Sequence, residues 1–202
     1  MKYEAIIFDM GNVILEYVPD YFLSHFTTDE AICNVLKETI FYHPQWLDLD
    51  QGVITESEFY EALKLRLPES LHDLGFEVLD RWHDHFDENL EMLNVVKELH
   101  RKGYRLILCS NVALSFYQYK ERVAAFKYFE DFVLSSEIKV IKPDLGIFEH
   151  LLKTHDLDPS ACYFIDDSLA NVQAAQSMDI DGYWYNGNAS VLLKSLRLKG
   201  IL

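Results

Sequence analysis

Basic residues are scarce in this chain. Eighteen Lys and Arg stand against 33 Asp and Glu, giving a formal net charge of -15 over 202 residues. That balance argues against a nucleic-acid partner or an anionic membrane surface, since both need a basic face. It leaves room for a small phosphorylated ligand, because a metal ion or a single lysine can reverse the field locally. Cysteine is rarer still. Cys33, Cys109 and Cys162 are widely spaced, form no CxxC pair and cannot all pair with one another. They read as small buried apolar residues of a reduced, cytoplasmic protein. Long apolar runs are missing as well, so no bilayer span is expected. The opening "MKYEAIIFDM" has too short an apolar run, broken by acids, to be expected to act as a signal peptide. There is no internal repeat and no low-complexity stretch.

Half of the residues are hydrophobic, enough for one substantial domain with a small insertion. From Asp87 onward, strand-like runs alternate with amphipathic helices. "NLEMLNVVKELHRKG" carries apolar residues at helical spacing and stops at Gly103. "YRLILCSN" is a buried-strand run closing on polar residues, and a helix is expected over about 113 to 126. "DFVLSS", "ACYFIDD" and "GYWY" read as further strands. "DLGIFEHLLKTH", "LANVQAAQSM" and the terminal "VLLKSLRLKGIL" read as helices. Such alternation predicts an α/β fold with a parallel, Rossmann-like sheet covered on both faces. Residues 16–86 break the rhythm. They hold no convincing strand, and "TESEFYEALKLRL" opens with a capping box formed by Thr55 and Glu58. The expected division is a core of residues 1–15 and 87–202 with a helical cap of residues 16–86. An insertion at that place can act as a lid.

The polar residues fall at strand ends. The first strand closes on Asp9, the second on Ser110 and Asn111, and the last long one on Asp166 and Asp167. Lys142 precedes a helix. In an open parallel sheet these lie along the carboxyl edge, where ligands bind. Carboxylates there suit a hard cation such as Mg²⁺. A serine, a lysine and helix amides suit phosphate oxygens, and an aspartate beside a phosphate can attack it.

"FDMGNV", "LCSN", "KPDLGIFE" and "FIDDSLANVQAA", in that order, resemble the four motifs of the haloacid dehalogenase-like hydrolase superfamily. The motifs cover the whole core, and the insertion sits where that family's cap belongs. The D-x-G-N-V opening looks most like the branch that includes α-D-glucose-1-phosphate phosphatase. The resemblance implies an Mg²⁺-dependent phosphatase acting on a small phosphorylated metabolite, for example a sugar phosphate. It casts Asp9 as nucleophile and metal ligand, and Gly11 as a metal ligand through its carbonyl. Ser110 and Asn111 become substrate-binding residues. Lys142 steadies phosphate and nucleophile, and Asp166 and Asp167 hold the metal, Asp167 directly and Asp166 through water.

One group is absent. Most phosphatases of this superfamily carry, where Gly11 stands, an aspartate that protonates the leaving alcohol. General acid catalysis is worth roughly 10²–10⁴-fold. Either the substrate leaves easily, as an anomeric sugar phosphate does, or another group supplies the proton. Asn12 through a water, His25 and His43 are candidates. Two other readings stay open. A 2-haloacid dehalogenase also uses the first aspartate, but the tyrosine typical of its opening is missing here. A catalytically weak relative could bind a phosphorylated ligand or a partner. His83 and His85 are expected to be exposed and solvated, since residues two apart on a helix do not share a face. The aromatic residues Phe22, Phe41, Tyr42, Trp46 and Phe59 are expected to form a cap core.

Overall fold

Strand β1 (Ala5–Phe8) is buried at every position, as a strand covered on both faces must be. The computed structural model describes residues 2–202. With β2 (Arg105–Ser110), β3 (Asp131–Leu134), β4 (Cys162–Asp166) and β5 (Asp181–Trp184), it forms one parallel sheet in the order β3-β2-β1-β4-β5. Side-chain alternation sends Ile6 and Phe8 into one core, with Leu106, Leu108 and Ile165. It sends Ala5 and Ile7 into another, with Ile107, Cys109 and Phe164. The α/β reading therefore holds.

Among the described residues five α-helices, joined in places by short π and 3₁₀ turns, follow β1: α1 (Pro19–Ser24), α2 (Glu30–Leu36), α3 (Gln45–Asp50), α4 (Glu56–Arg66) and α5 (His72–Arg81). The core continues with α6 (Leu90–Arg101), α7 (Phe116–Tyr119), α8 (Ser135–Ile138), α9 (Leu145–His155), α10 (Leu169–Gln176) and α11 (Ala189–Leu198). Among the described residues, no helix is long and apolar enough to cross a membrane. The capping box at Thr55 is formed: Glu58 N donates to its hydroxyl, and Glu58 Oε2 accepts from Thr55 N at 2.8 Å. The inserted helices enclose their own apolar cluster, in which Phe22, Phe41, Trp46, Phe59 and Trp82 are buried. Its two connections to the core run side by side, with Glu16 N donating to Asp87 O at 2.9 Å.

Three expectations are corrected. The helix foreseen over about 113 to 126 is broken into α7 and short 3₁₀ turns. The Glu88 carboxylate accepts from the amides of Ala124 and Ala125, so the chain there is tied to a side chain instead of a helical ladder. His83 is buried, not solvated. A tight turn, Trp82–His85, lays it beside the Tyr119 ring; His83 Nε2 lies 3.0 Å from Gln118 Oε1, and Arg122 donates to its Nδ1. His85 is half-buried and stacks on His25 with ring centroids 4.1 Å apart. Tyr42 is exposed and stands outside the cap cluster. All three cysteines are free thiols; Cys109 and Cys162 are buried and Cys33 is half-buried.

Candidate active site

The strand order places β1 at the centre, with chain connections leaving it toward opposite edges. The crevice at its carboxyl end is the point where an open α/β sheet binds ligands. Asp9 follows β1 directly and is fixed by its own amide, which donates to Ile165 O at 2.9 Å. The chain then turns sharply at Met10–Leu15. Asn12 takes a left-handed φ of 54°, a conformation asparagine tolerates better than most residues. Its side chain donates to Asp167 Oδ2 at 3.0 Å.

Lys142 is the hub. It is only 3% exposed. Its ammonium donates to Asp9 Oδ1, Asp166 Oδ2 and Cys109 O, each at 2.7 Å. Those three bonds use all three ammonium protons. In this arrangement Lys142 therefore orients Asp9 and holds no spare donor for a phosphate. Its backbone is set by Asn111, which accepts from Lys142 N at 2.8 Å and donates to Lys142 O at 3.0 Å. Lys139, three residues earlier, caps α8 in a left-handed conformation.

The acid pair divides its work. Asp166 is fully buried. Its oxygens accept from Lys142, from Ser168 N at 2.7 Å and from Asn171 Nδ2 at 3.0 Å. Asp167 is half-buried and keeps capacity beyond its bond to Asn12. Oxygens of Asp9, Asp166 and Asp167 lie within 4.8 Å of one another. Burial pushes the Asp9 carboxyl up to about 7, with Asp166 and Asp167 adding to the push, although the Lys142 ammonium pulls it down. For Lys142, burial opposes the charged form, but Asp9 and Asp166 outweigh it and hold the group above its ordinary value. Burial also raises Asp167.

A cavity of about 360 Å³ opens over these groups. Asp9, Gly11, Ser110, Asn111, Lys142 and Asp167 all line it, while Asp166 supports it from beneath. The facing wall is aromatic and apolar: Tyr17, Phe41, Trp46, Leu47 and Trp82. Space exists at Gly11, since a Cβ there would meet nothing nearer than Tyr17 Cβ at 3.9 Å. What is lacking is the acid group, not the room for it. Of the substitutes foreseen, Asn12 lines the cavity, and His25 and His43 do not.

Two side chains escaped the sequence reading. Asn171 is buried, lines the cavity and spans both oxygens of Asp166. Its place five residues after Asp166, on the first turns of α10, was the available signal. The other is Asp50, the last residue of α3, which lines the cavity from the inserted helices. Nothing in "QWLDLD" separates it from Asp48.

A parallel sheet with a strand-end acid, a buried lysine and an acid pair converging beneath a helical insertion defines a Rossmann-like hydrolase. Residues 3–179 match the haloacid dehalogenase-like hydrolase family, and the chain belongs to that family. The sesquiterpene phosphatase astK of Aspergillus oryzae is 26% identical to it, over 98% of this chain and 97% of that protein. A predicted HAD-like family hydrolase from Porphyromonas gingivalis superposes with a TM-score of 0.76 at 22% identity, covering 98% of each chain. A HAD family enzyme from Bacteroides thetaiotaomicron, solved in complex with magnesium and inorganic phosphate, gives 0.72 at 22% identity, covering 92% of this chain and 96% of that one. At such identity the two structures attest the fold.

Proposed function

We propose that this enzyme is an Mg²⁺-dependent phosphatase that hydrolyses a small organic phosphate monoester through an aspartyl-phosphate on Asp9. The observation that carries it is the convergence of Asp9, Asp166 and Asp167 within 4.8 Å around one buried, triply bonded lysine. The donor set suits Mg²⁺, which takes carboxylate and carbonyl oxygens. Asp9, Asp167 and the Gly11 carbonyl would hold it directly, and Asp166, enclosed by Lys142 and Asn171, from behind. Bound there, Mg²⁺ supplies positive charge against the phosphoryl oxygens. The family membership and the magnesium–phosphate complex of the Bacteroides enzyme support the reading.

The oxygen of Asp9 not engaged by Lys142 attacks phosphorus, and the bond to the leaving oxygen breaks. Lys142 keeps the nucleophile oriented and offsets its charge. Ser110 and the strand-end loops receive the phosphate. Water then attacks the aspartyl-phosphate, releasing phosphate and restoring Asp9. Residues 16–86 act as the cap that excludes bulk water.

The cap wall narrows the substrate class. Phe41, Trp46, Leu47 and Trp82 offer apolar contact and few partners for the hydroxyls of a sugar. An apolar leaving group suits this wall better than the sugar phosphate suggested by the opening motif, and the name of the Aspergillus relative supports that choice. Phosphate release from isoprenoid, sugar and acyl phosphates, with and without Mg²⁺, tests both parts. Isoprenoid monophosphates are expected to be hydrolysed best, only with Mg²⁺, and not at all by Asp9→Asn. Turnover in that variant sinks the mechanism, and a preference for sugar phosphates sinks the substrate class.

A further inference from the structure

Gly11 leaves the proposed phosphatase without its expected proton donor, and the cavity contains one carboxyl that the mechanism above does not use. Asp50 reaches the cavity from the cap side, whereas Asp9 and Asp167 line it from the strand ends. Its position is built into the contact between cap and core. The Asp50 carbonyl accepts from Ser135 Oγ at 2.5 Å, and the same hydroxyl accepts from Val112 N at 2.9 Å. Beside it, Gln51 Nε2 donates to Lys139 O at 3.0 Å. Gly52, with φ of +70°, lies so close to Ser136 that a Cβ would stand 2.3 Å from its carbonyl oxygen. The end of α3 is thus pinned to α8 and its cap Lys139, which follow β3, and the Asp50 backbone is held at a fixed place on the cavity wall.

The surroundings of this carboxyl suit a neutral acid. Among the described residues no lysine or arginine pairs with it, and the nearby Ala113 amide offsets its burial only in part. The ionisable groups facing it are the hydroxyls of Tyr17, from the loop after β1, and Tyr119, from α7, both of which feel its charge. Burial pushes Asp50 well above the ordinary carboxylate range.

We propose that Asp50 is the general acid and base of the reaction, replacing from the cap the aspartate that Gly11 omits. This rests on the phosphatase reading of Asp9. In the first step Asp9 forms its bond to phosphorus, the bond from phosphorus to the leaving oxygen breaks, and Asp50 gives its proton to that oxygen. In the second, water attacks phosphorus, Asp50 takes the water's proton, and the bond from phosphorus to Asp9 breaks. Asp50 ends the cycle protonated. Because the acid belongs to the cap, proton transfer is available only with the cap seated, which ties catalysis to closure.

Asp50→Asn separates this role from a structural one. The amide keeps the side chain's size, and the contacts that pin the end of α3, from Ser135 Oγ to the Asp50 carbonyl and from Gln51 to Lys139 O, do not involve the carboxyl. Wild type, Asp50→Asn and Asp50→Glu are compared on an alkyl monophosphate and on an aryl phosphate with an acidic leaving group, with thermal unfolding as the check on folding. The expected result is a loss of about 10²-fold or more in kcat for Asp50→Asn on the alkyl ester. A much smaller loss is expected on the aryl ester, whose leaving group needs no proton. Asp50→Glu should recover part of the alkyl activity. Equal losses on both esters, or none on either, overturn the assignment while leaving Asp9 as nucleophile. Absence of Mg²⁺-dependent release from both esters by wild type overturns the phosphatase reading and this assignment together.

Discussion

At Asp9 two fields oppose each other: burial and two neighbouring acids favour its proton, and the Lys142 ammonium at 2.7 Å favours its charge. The nucleophile gains its negative charge only because a fixed cation is already in place, and Asn111 holds that cation's backbone. Asn171 does the equivalent work for Asp166. Removing it leaves a buried carboxylate short of donors, at a cost of about 1.5–3 kcal/mol for hydrogen bonds to a charged group. Asn171→Ala is therefore expected to lower unfolding stability in denaturant by that amount. It should also weaken Mg²⁺ binding by about 10–100-fold, as loss of an outer-sphere partner does. Unchanged values in both titrations would show that Asp166 is held without it.

Elements set these residues in place by ending where they do. β1 and β4 stop one residue short of, or at, an acid, and β2 stops at Ser110. Because neighbouring strands are parallel and in register, those ends meet. This much was legible in the sequence, since buried runs closing on polar residues have a simple physical signature. The carboxyl end of α3 was not. Its seat depends on Ser135, Ser136 and Lys139, some 85 residues further along the chain, and no local pattern announces such a contact. Gly52 marks it: the left-handed φ and the close Ser136 carbonyl leave no space for a side chain. Gly52→Ala is expected to loosen α3 from the core. Its effect should be a several-fold loss of turnover and faster amide exchange in α3, with β1 and β4 protected as before. Unaltered exchange in α3 would refute the latch.

For the whole molecule, the Rossmann-like core and the inserted helices follow from periodicity, and the family match spans most of both. His83 was misread because the pattern suggested a solvated face, whereas a 3₁₀ turn buries the ring under Arg122 and against Tyr119. Cap geometry decides which side chains line the cavity, and spacing along the chain does not encode it. The acids gathered at the site also set how stability responds to pH. Asp9 is held at about 7 in the fold, against an ordinary value of 3.8, and Asp50 and Asp167 are shifted the same way. Between about pH 4 and pH 7 these three acids therefore hold more protons folded than unfolded and their contribution to stability falls as pH rises, against a smaller opposite contribution from His43 and His85, which burial lowers. Each such group contributes up to about 1.4 kcal/mol per pH unit. Thermal unfolding without metal should show a midpoint falling across that window. The fall should be shallower in Asp50→Asn, and shallower with Mg²⁺, which favours the ionised acids. A midpoint that rises from pH 4 to pH 7 would contradict the raised acids.

If Asp9 carries the phosphoryl group, the phosphoryl-enzyme can be trapped. The enzyme would be mixed with an isoprenoid monophosphate and Mg²⁺, quenched in acid within the first turnover, and its peptides weighed. The expected result is the mass of one phosphoryl group on the peptide containing Asp9, absent from Asp9→Asn and decaying as free phosphate appears. Phosphate released with no phosphoryl-enzyme formed, or a phosphoryl group on any other residue, would contradict it.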